Sequence, residues 1–230
     1  MRVHVAFTPA EAAEAPTGIV VDVLRATSTI AQALSSGYRR VLSCAEVAEA
    51  EALKEEVGAV VLAGERRCLP IPGFDLGNSP REFLEPRGET VVLTTTNGTR
   101  ALVTAAERCE RVFAAGLLNL DAVVAAAREE ADDVAVFCAG VRGAFTIDDA
   151  YCAGRLAERL AGELSDAASA AIRIAGSFGT PEDGLRASQS ARNLVAAGLE
   201  EDIAFCARES VLGVVPRVAG ARGSAVELVA

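Results

Sequence analysis

Four short stretches carry the side chains best suited to chemistry on a small anion. Thr94-Thr95-Thr96-Asn97-Gly98-Thr99 follows an apolar run and precedes a helical pattern. Hydroxyls and successive N–H groups at a helix N-terminus favour negative charge, and Gly98 lets the backbone approach a ligand closely. Ordinary N-capping is the plainer use, yet three consecutive threonines exceed what one cap needs. Asp22 ends another apolar run, three residues before Arg25 and five before Thr27. A carboxylate there can hold Mg²⁺ or attack phosphorus; it can also cap the next helix or pair with Arg25. Gly64-Glu65-Arg66 and Gly140-Val141-Arg142-Gly143 are the other two stretches. Arg25, Arg66 and Arg142 each follow a predicted strand, where guanidinium forks would meet a carboxylate, sulfonate or phosphate. Asp148-Asp149 open a later helix. There they complement its dipole or, beside another carboxylate, join a metal site.

Other chemistries are excluded by what is missing. His4 is the only histidine, in the alternating strand-like run Arg2-Val3-His4-Val5-Ala6-Phe7. A Ser-His-Asp triad or a histidine-rich zinc site would have to use it. A phosphatase loop of the C-x5-R type fails because Arg142 follows Cys138 by four residues, not six. The phospho-aspartate pattern of haloacid dehalogenases wants a second Asp two residues after the first, and Leu24 stands there instead. The six cysteines are scattered singly and read as reduced, packed thiols.

The elements that would position these residues alternate. Gly18–Val23, Arg40–Ser43 and Ala59–Ala63 read as strands, with helices at Ser28–Ser36 and Glu46–Val57 between them. The order recurs as strand Thr90–Leu93, helix Thr99–Arg108, strand Arg111–Ala114, helix Leu120–Glu130 and strand Val134–Cys138. Val20-Val21 and Val91-Val92 lie 71 positions apart, as do Arg40-Val41 and Arg111-Val112. This points to a duplicated βαβαβ half, residues 18–66 and 90–142, in a mostly parallel α/β sheet. Ligands of such sheets bind beyond the carboxyl ends of the strands, where all four stretches fall. A Gly- and Pro-rich connection, Cys68–Arg87, separates the halves. A C-terminal segment, 148–230, carries helices near Asp148–Leu164, Glu182–Ala196 and Glu200–Arg208, then a possible strand at Val211–Val218.

The chain has 230 residues and a net charge of −10, and Lys54 is its only lysine. Without a basic run, nucleic acid and anionic membranes are not expected partners. No apolar stretch is a signal peptide or a membrane span, so a cytoplasmic, single-unit protein is expected.

Taken in order, several segments resemble the 2-phosphosulfolactate phosphatase family. These are Val21–Thr29, Gly64-Glu65-Arg66, Gly73-Phe74-Asp75-Leu76-Gly77-Asn78-Ser79-Pro80, Thr94–Thr99, Asp148-Asp149 with Gly154, and Gly198-Leu199-Glu200-Glu201-Asp202-Ile203. The likeness runs from about residue 18 to 216, although Gly64 to Pro72 is less glycine-rich than the family pattern. It implies a three-layer α/β/α fold and a Mg²⁺-dependent phosphomonoesterase. That enzyme would convert 2-phospho-3-sulfolactate to 3-sulfolactate and phosphate, a step toward coenzyme M, and a homodimer is a reasonable expectation.

On this reading Asp22, with Glu65 or the Asp148/Asp149 pair, holds Mg²⁺, and Asp22 and Asp148 serve catalysis. Thr95, Thr96, Asn97, Gly98 and Thr99 cradle phosphate beside Thr27, while Arg25, Arg66 and Arg142 hold the acid groups. Attack comes from water or from Asp22. Two rivals keep the scaffold: a phosphatase of another small 2-phospho acid, and a non-catalytic anion-binding protein.

Overall fold

Strands covered on both faces read as unbroken runs of apolar and β-branched residues, and every residue of Thr17–Val21, Thr90–Thr94 and Val134–Cys138 is buried. The computed structural model describes residues 1–11, 13–222 and 225–230. In chain order the elements begin β1 (Arg2–Ala6), β2 (Thr17–Val21), α1 (Ala26–Ser35), β3 (Arg40–Cys44), α2 (Val47–Val57), β4 (Val61–Arg66) and β5 (Leu69–Pro70). After a 3-10 turn at Pro80–Phe83 come β6 (Thr90–Thr94), α3 (Gly98–Arg108), β7 (Arg111–Ala115), α4 (Leu120–Glu130) and β8 (Val134–Cys138). The last third holds α5 (Ile147–Leu160), β9 (Glu163–Leu164), α6 (Asp166–Gly176), α7 (Pro181–Arg186), α8 (Gln189–Ala196), α9 (Glu201–Cys206), β10 (Arg217–Arg222) and β11 (Ala225–Val229).

All these strands join one sheet in the order β5-β4-β6-β3-β11-β10-β7-β2-β8-β1-β9. The two expected halves are interleaved in it. β2 runs parallel between β7 and β8, and β6 runs parallel between β3 and β4. The order is therefore symmetric under exchange of β2, β3 and β4 with β6, β7 and β8. The β10–β11 hairpin joins the two triplets, antiparallel to β7 on one side and to β3 on the other. The triplets consequently run in opposite directions.

Alternate residues of each strand face opposite layers. Val20, Val91, Leu93, Val112 and Ala114 pack against Ile30 and Leu34 of α1 and Leu102 and Ala105 of α3. On the other face Ile19, Val21, Val134 and Val136 meet Leu120, Val123, Leu156 and Leu160 of α4 and α5. Leu42, Leu62 and Val92 meet Ala50 and Leu53 of α2. Helices thus cover both faces of the sheet. Residues Ala26 through Leu34 of α1 are all buried. A Cβ on Gly98, at the start of α3, would lie 2.5 Å from the Asp22 carboxylate that follows β2. In a flat sheet the five strand steps from β6 to β2 would span roughly 24 Å. The sheet therefore curls around α1 and α3 and gathers the carboxyl ends of both triplets at one place.

The C-terminal third departs from the sequence reading in three ways. The helix expected over Glu182–Ala196 is two helices, because the Ser188 hydroxyl accepts from the Ala191 N–H and starts a new one. The strand expected at Val211–Val218 forms only from Arg217, as half of the unforeseen β10–β11 hairpin. Residues 210 and 212 instead donate their N–H groups to Leu117 and Leu118, and Pro216 has no N–H to offer a ladder. Finally, the helix expected to reach Leu164 stops at Leu160, and α6 follows, capped by Ser165. Gly154 lets α5 and α6 cross closely, since a Cβ there would collide with the Ala171 carbonyl.

Candidate active site

The curl produces an open cleft, with about 90 Å³ of space for ligand or water within it. Each half of the chain, β2-β3-β4 and β6-β7-β8, gives it the loop after its first strand and the loop after its third. Asp22, Leu24 and Arg25 come from the end of β2, and Thr95, Thr96 and Asn97 from the end of β6. Glu65, Arg67 and Cys68 come from the end of β4, and Val141 and Arg142 from the end of β8. Asn78 and, from α8, Ser190 and Asn193 complete the wall.

Asp22 is 8% exposed at the mouth of α1, and its Oδ1 accepts from the Ala26 N–H at 3.3 Å. Thr27 pins the Asp22 backbone, accepting from its N–H and donating its hydroxyl to its carbonyl, so it supports the loop from behind the lining. Burial pushes the Asp22 carboxyl up to about 7. The charges of Asp148 and Glu65 push the same way, against the Ala26 N–H and the Arg25 charge. Gly98 matters here through what it lacks: any side chain would strike Asp22 Oδ2 and the Ala26 Cβ.

The other expected carboxylates divide by what their oxygens do. Glu65 Oε1 accepts from the Thr96 N–H at 2.9 Å and the Thr96 hydroxyl at 2.8 Å, while Oε2 accepts from the Cys68 N–H at 2.7 Å. Asp149 accepts from the N–H of Val23 at 3.0 Å and of Gly140 at 2.8 Å, tying the β2 and β8 loops together. Both therefore hold loops in place. Asp148, on the first turn of α5, is 1% exposed, and its Oδ1 has no hydrogen-bond partner among the described residues. Burial raises its carboxyl, opposed by the hydroxyls of Ser190 and Thr146. Asp149 is raised further, by burial and by the charges of Asp148 and Asp22.

Three like charges crowded in a buried space call for protons or a cation. Mg²⁺ is typically held by one or two carboxylates together with water and substrate phosphate. Asp22 and the orphaned Asp148 fit that donor set. Among the described residues no three His, Cys, Asp or Glu side chains are grouped to hold a metal by themselves.

The threonine loop splits likewise. Thr95 Oγ1 and Asn78 Oδ1 are buried without a hydrogen-bond partner among the described residues, and both residues line the cleft. Thr96 is tied to Glu65, and Asn97 Oδ1 accepts from the Arg142 N–H at 3.0 Å. Thr99 donates to the Thr95 carbonyl and lies outside the lining. Of the expected arginines, Arg25 and Arg142 line the cleft and Arg66 does not. Arg66 donates to the carbonyls of Glu65 and Ala45 and to the Thr94 hydroxyl. Arg67 takes its place at the cleft, on a turn where Arg67 and Cys68 adopt φ of 56° and 67°. Strand alternation turns Arg66 away from the face of Glu65, and the positive-φ turn that follows β4 brings Arg67 to the cleft instead. Asn78, Ser190 and Asn193 are brought in by tertiary packing alone. The Arg67 and Arg142 guanidiniums have no hydrogen bond or ion pair among the described residues.

A curled α/β sheet that brings buried carboxylates, free arginines and an unsatisfied hydroxyl to one cleft defines an enzyme-type site for a small, highly charged anion. The family model described as 2-phosphosulpholactate phosphatase matches residues 4–221. A probable 2-phosphosulfolactate phosphatase of Thermus thermophilus is 41% identical over 234 residues, covering 98% of each chain. One of Thermotoga petrophila is 40% identical over 218 residues, 93% of this chain and 94% of its own. The 2-phosphosulfolactate phosphatase of Methanothermobacter thermautotrophicus is 38% identical over 221 residues, 94% and 92% of the two chains. The chain belongs to the 2-phosphosulfolactate phosphatase family. Among the described residues no helix is long and apolar enough to cross a membrane.

Proposed function

We propose that this phosphoric monoester hydrolase acts on 2-phospho-3-sulfolactate, releasing phosphate and 3-sulfolactate in a cytoplasmic, coenzyme M-type biosynthetic step, with Mg²⁺ as cofactor. The observation that carries this reading is the concentration of unpaired cationic and hydroxyl groups in one cleft of a protein whose net charge is −10. An ester bearing phosphate, carboxylate and sulfonate needs that local reversal of charge to bind at all.

Asp22 and Asp148 would hold the metal, which when bound offsets charge on the phosphoryl oxygens. The Thr95 hydroxyl and Arg25, whose charge acts on Asp22, would face the phosphoryl group. Arg67 and Arg142 offer forks to the carboxylate and sulfonate. Glu65 and Asp149 keep the four loops in register. Attack on phosphorus comes from water or from the Asp22 carboxylate. Acid quench during a single turnover separates the two routes, since a phosphoryl group retained on Asp22 marks the covalent one.

The test is phosphate release from 2-phospho-3-sulfolactate by wild type and Asp22→Asn, with Mg²⁺ and with EDTA. The expected result is Mg²⁺-dependent turnover that Asp22→Asn abolishes. Tight binding without turnover would replace this reading with that of an anion-binding protein. Equal kcat/KM for an ester lacking the sulfonate would overturn the substrate assignment.

A further inference from the structure

Two of the segments that carried the family resemblance, 73–80 and 198–203, contribute only Asn78 to the cleft lining. Behind the cleft they meet. Asp202, in α9, is fully buried, and its Oδ2 accepts from Arg25 Nη1 at 2.6 Å. Its Oδ1 accepts from the Ser79 hydroxyl at 2.6 Å, with Arg81 Nη1 at 4.0 Å. Arg25 Nη2 donates to the Cys68 carbonyl at 3.2 Å, and Arg25 is 3% exposed.

Both carboxylate oxygens are thus committed, which fixes the plane of the Asp202 carboxylate. That plane and the Cys68 carbonyl then fix the plane of the guanidinium. A guanidinium has five N–H donors in a rigid fork. With one N–H of Nη1 and one of Nη2 so held, Nε and the second N–H of each remain for a ligand at the wall that Arg25 shares with Asp22. A buried ion pair gives little net stability compared with apolar packing, because desolvating two charges offsets most of their attraction. What this pair supplies is orientation.

We propose that Asp202 is a positioning residue that aims Arg25 at the phosphoryl group, with Ser79 holding Asp202. The proposal rests on the phosphatase reading above. Its signature is specific. If the carboxylate only neutralised charge, its removal would strengthen anion binding and lower KM. If it orients Arg25, its removal leaves ground-state attraction nearly intact and lowers kcat, because alignment matters most as charge develops on the transferring group.

The experiment compares wild type, Asp202→Asn, Arg25→Ala and the double variant, each checked for its far-UV circular dichroism. The expected result is a kcat about 10–100-fold lower in Asp202→Asn, with KM changed less than about threefold, a scale typical of residues that orient catalytic groups. The double variant should be no slower than Arg25→Ala alone, since Asp202 acts through Arg25. Guanidinium chloride should partly restore Arg25→Ala but not the double variant. Full kcat in folded Asp202→Asn, a lowered KM, or losses that multiply in the double variant would overturn the proposal. If Asp202→Asn does not fold, Ser79→Ala keeps the ion pair and should still lower kcat without raising KM; unchanged kcat there overturns it equally. A wild type without turnover would instead refute the phosphatase reading. Positioning would then be read by calorimetry from vanadate, a mimic of the transferring group, whose binding Asp202→Asn should weaken about tenfold or more while phosphate binding changes less than about threefold; equal effects on the two anions would overturn it.

Discussion

Asp22 makes the metal-free protein pay for its site, and the amount can be worked out. Its carboxyl ionises near 3.8 in an exposed chain and at about 7 when folded. At about 1.4 kcal/mol per pH unit, the gap corresponds to about 4 kcal/mol. The sign follows from which state binds the proton more tightly, here the folded one. The contribution is complete below about pH 4, where Asp22 is protonated in both states. It erodes as pH rises, and it is gone once pH passes about 7. Asp22→Asn keeps the Oδ1 acceptor used by the Ala26 N–H and has no charge to lose. The two proteins should therefore melt together at pH 4 and separate as pH rises. At pH 8 the variant should be the more stable by up to about 4 kcal/mol, or roughly 8–15 °C for a chain of this size. The assay is thermal unfolding in EDTA at pH 4, 6 and 8, repeated with Mg²⁺. Mg²⁺ should raise the melting temperature of wild type at pH 8 and leave the variant unmoved. A difference between the two proteins that does not grow from pH 4 to pH 8 would refute the argument that burial and like charge, rather than loop structure, set the energetics of Asp22.

Three further outcomes follow from the geometry. Arg67→Ala and Arg142→Ala should each raise KM for a sulfonate-bearing ester by roughly 10–100-fold, the worth of one charge-assisted pair, with smaller changes for an ester lacking acid groups; steady-state kinetics decides. Gly98→Ala should remove most activity and cost about 1–3 kcal/mol, because its methyl group must displace Asp22 or Ala26. Gly154→Ala should destabilise by a similar or larger amount by forcing α5 from α6, yet a variant that still folds should keep its KM, since Gly154 is remote from the cleft lining.

Strands β1–β4 and β6–β8 and the first four helices were legible because their signals are local. Gly18–Val23 and Val134–Cys138 are short buried runs, and Glu46–Val57 begins with a reciprocal Glu46/Glu49 capping box. The cleft was legible as four loops because each follows a strand, and Asp22, Arg25, Glu65, Thr95 and Arg142 all reach it. What escaped depends on partners distant in sequence. Nothing near Ser190 or Asn193 says that α8 will close the cleft. Ser188 looks like an ordinary helix residue until its hydroxyl caps the next helix. The hairpin β10–β11 is two short runs that gain meaning only as the bridge between oppositely directed triplets. Arg66 and Arg67 differ by one residue, and the positive-φ turn after β4, which nothing in the local sequence announces, decides between them.

The interleaving of the triplets also governs how the chain must come together in time. Thr17 pairs with Arg111 and with Val134, and Val3 also pairs with Val134, so β1 and β2 have no sheet neighbours within the first hundred residues. Such distant pairings must bear the entropy of closing long loops before any ladder forms. During synthesis, β1 and β2 wait unpaired until β7 and β8 have left the ribosome. β10 and β11, the last strands made, then seat between β7 and β3. A fragment ending in the connection between the halves would strand β2 without its partners, so the two halves can fold only around one another.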